Sequence, residues 1–365
     1  MRSAGDHETA EGEAAVHLTE RTARITAPGN LLVCGEYAVL EPGGLGIAVA
    51  VAPYAAAEIR SGRPAIVRCL HAGTGERYYR PGEFPEPDTQ LPAVCLEYLL
   101  RHKLITAPPR AEITLDSRAF FSASGGKRGF GSSAAATVVC TAAILYAAGF
   151  SRARVRCALT NHTVAIHREF QGGRGSGYDV LISALGGVAL FTGGRCPRAE
   201  PLDAEWLRGA FLVSAGPRVQ TTGAVRRYEA WKSRYPQAAA EFLRTSNELV
   251  GRLAAASSRH AALAVLERLA GLGIELGEAI AVPAALSQTV RNRVERQLKG
   301  PNALRGNDAP SATVCKSLGA GGELALCLPG DTEAPTRAGR DCDTIQPLQI
   351  ASEGVSWNAT DPIAR

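Results

Sequence analysis

Apolar and polar positions change period several times along the chain, and each change marks an element. Between residues 22 and 60, TARITAP and LLVCGEYAVL are short runs rich in branched residues and broken at Pro28–Gly29. After the turn-forming EPGG at 41–44 comes the extended stretch LGIAVAVAPYAAAEI, so this region predicts strands in a hairpin-like opening. Residues 61–90, rich in Gly, Pro and Arg, read as an excursion. LPAVCLEYLLRHKL at 91–104 predicts a helix and AEITLDSRAFF at 111–121 a strand. The Ala-rich run that starts at Ser132–Ser133 predicts a helix with serine at its N-cap and Gly149 just past its end. A second helix is expected over 152–170, an apolar helical stretch over 179–187, and a strand at VALFTGG.

Beyond Trp206 the pattern becomes a strand at 211–216, then apolar positions at helical spacing (Leu249, Leu253, Leu263, Leu266) that predict two helices over 236–270. ATVCKSLGAGGELALCLPG reads as strand, glycine turn, strand. The order of elements is α+β, with an expected boundary near residue 200 separating a lobe over 21–200 from one over 201–330. Residues 1–20 read as a flexible extension and 331–365, polar and Pro-containing, as a poorly packed tail.

Composition narrows the class. At 365 residues, with 45% hydrophobic and 21% charged residues, the chain can bury a sizeable core. A net charge of +5 carried on scattered Lys and Arg gives no nucleic-acid stripe, though it suits anionic substrates. The nine cysteines are odd in number, irregular in spacing and without a C-x-x-C, which predicts reduced, buried thiols and neither a disulfide framework nor a zinc site. The polar, acidic N-terminus has no apolar signal-peptide core, and the longest nearly apolar run, Ala134 to Ala148, is short for a bilayer. The expectation is a cytoplasmic protein with no membrane or nucleic-acid partner.

Candidate chemistry sits in glycine-rich turns. In KRGFGSSA a glycine turn feeds a helix N-terminus, which exposes backbone N–H groups to a phosphate. Ser132 and Ser133 could add hydroxyls or a Mg²⁺ ligand, and Lys127 and Arg128 positive charge; a loop that merely turns a corner is the plain alternative. No Walker A string occurs. GFGSSA satisfies G-x-G-x-x-A literally, yet no Asp or Glu follows from Ser132 through Arg168 to hold a ribose, which argues against a dinucleotide fold. In QGGRGSGYDV the glycines permit close approach of a ligand to Asp179, which could orient or deprotonate a substrate group or cap the next helix, or do both. GAGGE at 319–323, preceded by Lys316, is either a hairpin loop or an anion site.

Taken together these motifs resemble the GHMP kinases, whose ordered signatures are P-G-x-x-x-x-x-G-E/D, G-x-G-S-S-A and a C-terminal G-A-G-G. Here they stand at Pro28–Gly29 to Gly35–Glu36, at Gly129 to Ala134, and at Gly319 to Gly322. GEYAVLEPG and QGGRGSGYDV are most similar to the phosphomevalonate kinase branch, and the segment 272–286 with CKSLGAGGELAL resembles its spirochaete-like members. The resemblance implies a two-lobed fold with a ribosomal-S5-like N-terminal lobe and a ferredoxin-like C-terminal lobe. It implies ATP and Mg²⁺ as cofactors, a small-molecule substrate, and a monomer or homodimer. The implied reaction is phosphorylation of (R)-5-phosphomevalonate to 5-diphosphomevalonate, with mevalonate kinase, another small-molecule kinase of this type or a non-catalytic ligand-binding relative as alternatives.

Carried over by residue, the resemblance implies that Gly129, Phe130, Gly131, Ser132, Ser133 and Ala134 cradle the triphosphate, with Ser133 as metal ligand. Asp179 and Lys127 would be catalytic. Asn30, Glu36, Tyr37, His167, Ser176, Gly177, Lys316, Gly319, Ala320 and Gly321 would serve the acceptor. One departure stands out: relatives carry Lys where this chain has Asn30, which supplies no charge. The chemistry would then rely on Lys127, Arg128, Arg174 or Lys316 together with Mg²⁺, or run at reduced activity.

Overall fold

The computed structural model describes residues 22–358 apart from 72–74, 123–124, 174, 215–220, 285, 287–289, 291, 293, 295–312, 320–323 and 331–344. The opening hairpin pairs β1 (Thr22–Cys34) with the 17-residue β2 (Leu45–Ser61), through a short 3₁₀ turn at Ala38–Leu40. β1 alternates between exposed and buried positions at its start and is buried without interruption from Ala27 to Cys34. Its register slips between Pro28 and Gly29 and again between Leu32 and Cys34, and such bulges bend a strand and re-aim its side chains.

The excursion at 61–90 contains a second hairpin, β3 (Ile66–His71) with β4 (Gly75–Tyr79). Then follow α1 (Gln90–Arg101), β5 (Ala111–Asp116), α2 (Ser132–Ala147), α3 (Arg152–Phe170), α4 (Tyr178–Leu185), β6 (Val188–Thr192) and β7 (Arg198–Pro201). The long β2 changes partner along its length: Leu45–Val49 pairs with β6 and Ala56–Ser61 with β5. α2 is apolar around its whole circumference, and Ala134, Val138, Cys140 and Leu145 are wholly enclosed. A helix of that kind belongs inside the core rather than on it, and it packs on both β1 and β2 and against α3 and α4.

The remainder comprises β8 (Phe211–Ser214), α5 (Thr221–Arg234), α6 (Pro236–Ala254), α7 (Arg259–Ala279), β9 (Val314–Ser317), β10 (Leu324–Leu328), β11 (Ile345–Pro347) and β12 (Ser356–Asn358). Among the described residues the larger sheet runs β12-β1-β2-β5-β3-β4, with β6 attached to β2 and β7 to β6. The smaller runs β11-β8-β10-β9.

Three features differ from the expectations. Residues 345–358, read as part of a loose tail, close both sheets: β11 pairs with β8 and β12 with β1, and Ala351 and Val355 are buried. Cys315 and Cys327, read as reduced thiols, form a disulfide, because the antiparallel register of β9 and β10 sets them directly opposite, Cα atoms 4.1 Å apart. The N-cap of α2 is Gly131 rather than a serine, so both serine hydroxyls lie inside the first turn.

Candidate active site

The phosphate-loop candidate is held in place by β1. Gly131, in the left-handed region at φ 69°, starts α2, and the N–H groups of Ser132, Ser133 and Ala134 have no carbonyl four residues back within the helix. They therefore present donors and the positive end of the helix dipole at one point. A Cβ on Gly131 would lie 2.3 Å from the Asn30 side chain, and one on Gly29 would lie 2.5 Å from the Phe130 carbonyl oxygen. The Asn30 N–H donates to that same carbonyl at 3.0 Å. The Asn30 amide, only 2% exposed, donates to Ser183 Oγ at 3.0 Å and reaches the Gly131 carbonyl at 3.4 Å. Asn30, expected to serve the acceptor, thus spends its side chain tying the glycine loop to α4.

The glycine-rich turn before α4, the acceptor-turn candidate, is tied down by the guanidinium of Arg168. Arg168 donates to the carbonyls of Gly175 (2.8 Å), Ser176 (3.1 Å), Gly194 (2.9 Å) and Arg195 (2.9 Å), and partial burial lowers its pKa. Gly177, at φ 90°, is the N-cap of α4, and a Cβ there would strike Val164 at 2.7 Å. Asp179 is accordingly not the cap but the second residue of α4, where the helix dipole favours a carboxylate. Its Oδ1 accepts from the Val180 N–H at 2.9 Å.

His167 lies between the two loops. It is 3% exposed, its Nδ1 faces Asp179 Oδ2 at 3.5 Å, and its Nε2 meets Ser133 Oγ at 3.3 Å and the Gln171 amide nitrogen at 3.2 Å. One imidazole therefore joins the start of α2 to the start of α4.

Glu36 and Lys316 form a buried ion pair, and the Lys316 ammonium also donates to the Ser317 carbonyl at 2.9 Å. Burial pushes the Glu36 carboxyl above the ordinary carboxylate range, while the neighbouring lysine pulls it back. Tyr37 takes a left-handed φ of 62° and packs its ring 5.2 Å from that of Tyr228. Such a backbone is strained for a bulky residue. Burial, reinforced by Glu36, raises its phenol to about 12.

A cavity of about 300 Å³ connects these parts. Its lining includes Asn30, Glu36, Tyr37, Lys127, Gly129, Phe130, Gly131, Ser132, Ser133, Ser176, Asp179 and Gly319. Ala134, His167 and Gly177 stand behind this wall and Lys316 lines a neighbouring cavity. Ala320 and Gly321, together with Arg174, lie outside the described residues. Sequence reasoning missed Gln171, Tyr178 and Thr221 as lining residues. Gln171 and Tyr178 belong to a motif already singled out, whereas Thr221 sits on α5, whose polar composition gave no signal.

The residues suit a nucleotide triphosphate with Mg²⁺. The N–H groups at the start of α2 open onto the cavity, and Ser133 Oγ and the Asp179 carboxylate offer oxygen to the same space. Among the described residues no cluster of three or more His, Cys, Asp or Glu could hold a metal unaided. Mg²⁺ usually takes one or two carboxylates and completes its shell with phosphates and water.

The chain has the α+β fold of the GHMP kinases. No family model and no curated protein matches it, so the likeness lies in three dimensions. The Lin0012 protein of Listeria innocua superposes with a TM-score of 0.72 at 19% identity, over 93% of this chain and 100% of that one. The phosphomevalonate kinase of Streptococcus pneumoniae, solved with phosphomevalonate and AMPPNP, gives 0.61 at 19% identity over 84% and 92% of the two chains. A mevalonate kinase gives 0.62 at 14% over 90% and 99%. No helix among the described residues is long and apolar enough to cross a membrane.

Proposed function

We propose that the protein is a cytoplasmic, Mg²⁺-dependent kinase that transfers the γ-phosphoryl group of ATP to a small anionic acceptor, with (R)-5-phosphomevalonate as the best candidate. The observation that carries this reading is the single cavity lined by both the N-terminus of α2 and Asp179. Those are the two parts needed to hold a triphosphate and an acceptor face to face. The motifs GEYAVLEPG and QGGRGSGYDV support the choice of acceptor, since the fold is shared as fully with a mevalonate kinase.

The acceptor oxygen would belong to a phosphate whose second pKa lies near 6, so it is largely ionised at neutral pH and needs little help from a base. The greater burden is bringing two polyanions together. The amides of α2 and Lys127 would bind the triphosphate, and Arg168 would keep the acceptor turn in position. Bound Mg²⁺ would neutralise charge between the phosphates. Of the cations considered for the role of a lysine at position 30, Lys316 pairs with Glu36, and Arg128 reaches Gln346 at 3.2 Å and stacks on Phe130. Lys127 lines the cavity.

The test is ADP release from Mg-ATP with a panel of acceptors. Turnover on phosphomevalonate supports the reading, and turnover on mevalonate alone reassigns the acceptor. Calorimetric binding of AMPPNP without phosphoryl transfer to any acceptor points to a non-catalytic ligand-binding protein.

A further inference from the structure

A second cavity, of about 320 Å³, lies beside the first and shares Glu36, Tyr37 and Gly319 with it. Its walls come from α6, α7 and β9 and are largely apolar, with Phe242, Leu269, Leu276 and Val282 among them. That volume is at the lower end of the range for small-molecule pockets. The Glu36–Lys316 pair stands at the junction of the two chambers, so a ligand spanning them would meet polar groups there and apolar surface beyond.

α7 leaves this chamber open by its choice of residues. Gly271 and Gly273 both lie inside the 21-residue helix and both line the cavity, although glycine weakens a helix interior. Neither has a left-handed φ, and among the described residues a Cβ on either would meet no atom within 4 Å. Gly277 is different: a Cβ there would lie 2.6 Å from the Val282 carbonyl oxygen, so close packing requires it. Packing therefore requires Gly277, whereas Gly271 and Gly273 face open space, and both stand on the cavity wall.

We propose that this chamber is the outer part of the acceptor site and takes the apolar chain of a phosphorylated acceptor, an alkyl monophosphate, whose phosphate end lies in the first cavity. The assignment of the phosphate end rests on the phosphoryl-transfer reading above. In the step itself the bond from the γ-phosphorus to its bridging oxygen breaks, and a new bond forms to an oxygen of the acceptor dianion. The products are ADP and an alkyl diphosphate, with no proton lost from the acceptor.

The experiment compares calorimetric binding of n-octyl phosphate and ethyl phosphate to the full chain and to Gly271→Leu and Gly273→Leu. Each methylene removed from water is worth about fourfold in affinity. The octyl ester is therefore expected to bind at least about tenfold more tightly and to compete with phosphomevalonate. Both variants should erase that advantage while AMPPNP affinity, the control for folding, is retained. Equal binding of the two esters, or a chain-length advantage that survives in both variants, overturns the proposal. ADP release with phosphomevalonate and with octyl phosphate is measured in parallel. Transfer to phosphomevalonate with no chain-length preference removes the chamber's role and leaves the kinase reading standing. A preference lost in both variants with no transfer to any acceptor sinks the kinase reading, and the acceptor assignment with it.

Discussion

Replacing Lys316 by methionine isolates the energetics of the wall between the two chambers. The lysine is 4% exposed and the Glu36 side chain 15%, so Lys316→Met leaves a carboxylate with little water to replace its partner. Removing one member of a buried pair costs about 3–5 kcal/mol, and the residual access of water to Glu36 places the expected loss near 3 kcal/mol at pH 8. The loss depends on pH with a definite sign. Burial already raises the Glu36 pKa in the folded state, and Lys316 is the main influence lowering it; without the lysine it rises further. A folded state that holds a proton the unfolded chain has released loses stability as pH rises from the unfolded carboxylate pKa through the folded one. Urea unfolding at pH 5 and pH 8 should therefore show a smaller deficit at the lower pH, and Glu36→Gln combined with Lys316→Met should recover much of it. A deficit below about 1 kcal/mol at pH 8, or one equal at both pH values, would refute the buried-pair account.

Arg168→Ala removes four hydrogen bonds, two to the turn before α4 at Gly175 and Ser176 and two to Gly194 and Arg195 beyond β6, each worth about 1 kcal/mol net. It should cost about 2–4 kcal/mol in urea unfolding and raise the KM for acceptor more than that for ATP, and Arg168→Lys should recover little because an ammonium cannot span four carbonyls. Gly131→Ala combines a left-handed backbone with a clash against Asn30, so it should cost about 1–3 kcal/mol and weaken AMPPNP binding by calorimetry. Adding Asn30→Ala should then cost less than the sum of the two changes. In steady-state assays Lys127→Ala should reduce kcat/KM more than Asp179→Asn, because charge neutralisation outweighs proton removal when the acceptor is already ionised; the reverse order would contradict that view.

Local chemistry made much of this fold legible from the residues alone. The helix over 132–147 announces itself by its alanine-rich run, and the glycine turns mark the loops that face the cavity. Contacts between distant segments did not announce themselves. β11 and β12 are three residues each and become strands only because β8 and β1 offer free edges. α5 has few buried positions, with Ala224 and Tyr228 the ones enclosed, too few to give an apolar period. The Cys315–Cys327 pair depends on a strand register that spacing does not encode. Asn30 looked like a weakened substrate ligand in the sequence. In the fold it sits 3.0 Å from Ser183, 153 positions away, and works as a brace.

The central claim is geometric: one cavity holds the triphosphate at the start of α2 and the acceptor beside Asp179. A crystal structure with Mg-AMPPNP tests it most directly. The account predicts phosphates seated on the amides of Ser132, Ser133 and Ala134 with the γ-phosphate facing Asp179. A nucleotide bound elsewhere, or one whose γ-phosphate points away from that carboxylate, would contradict it.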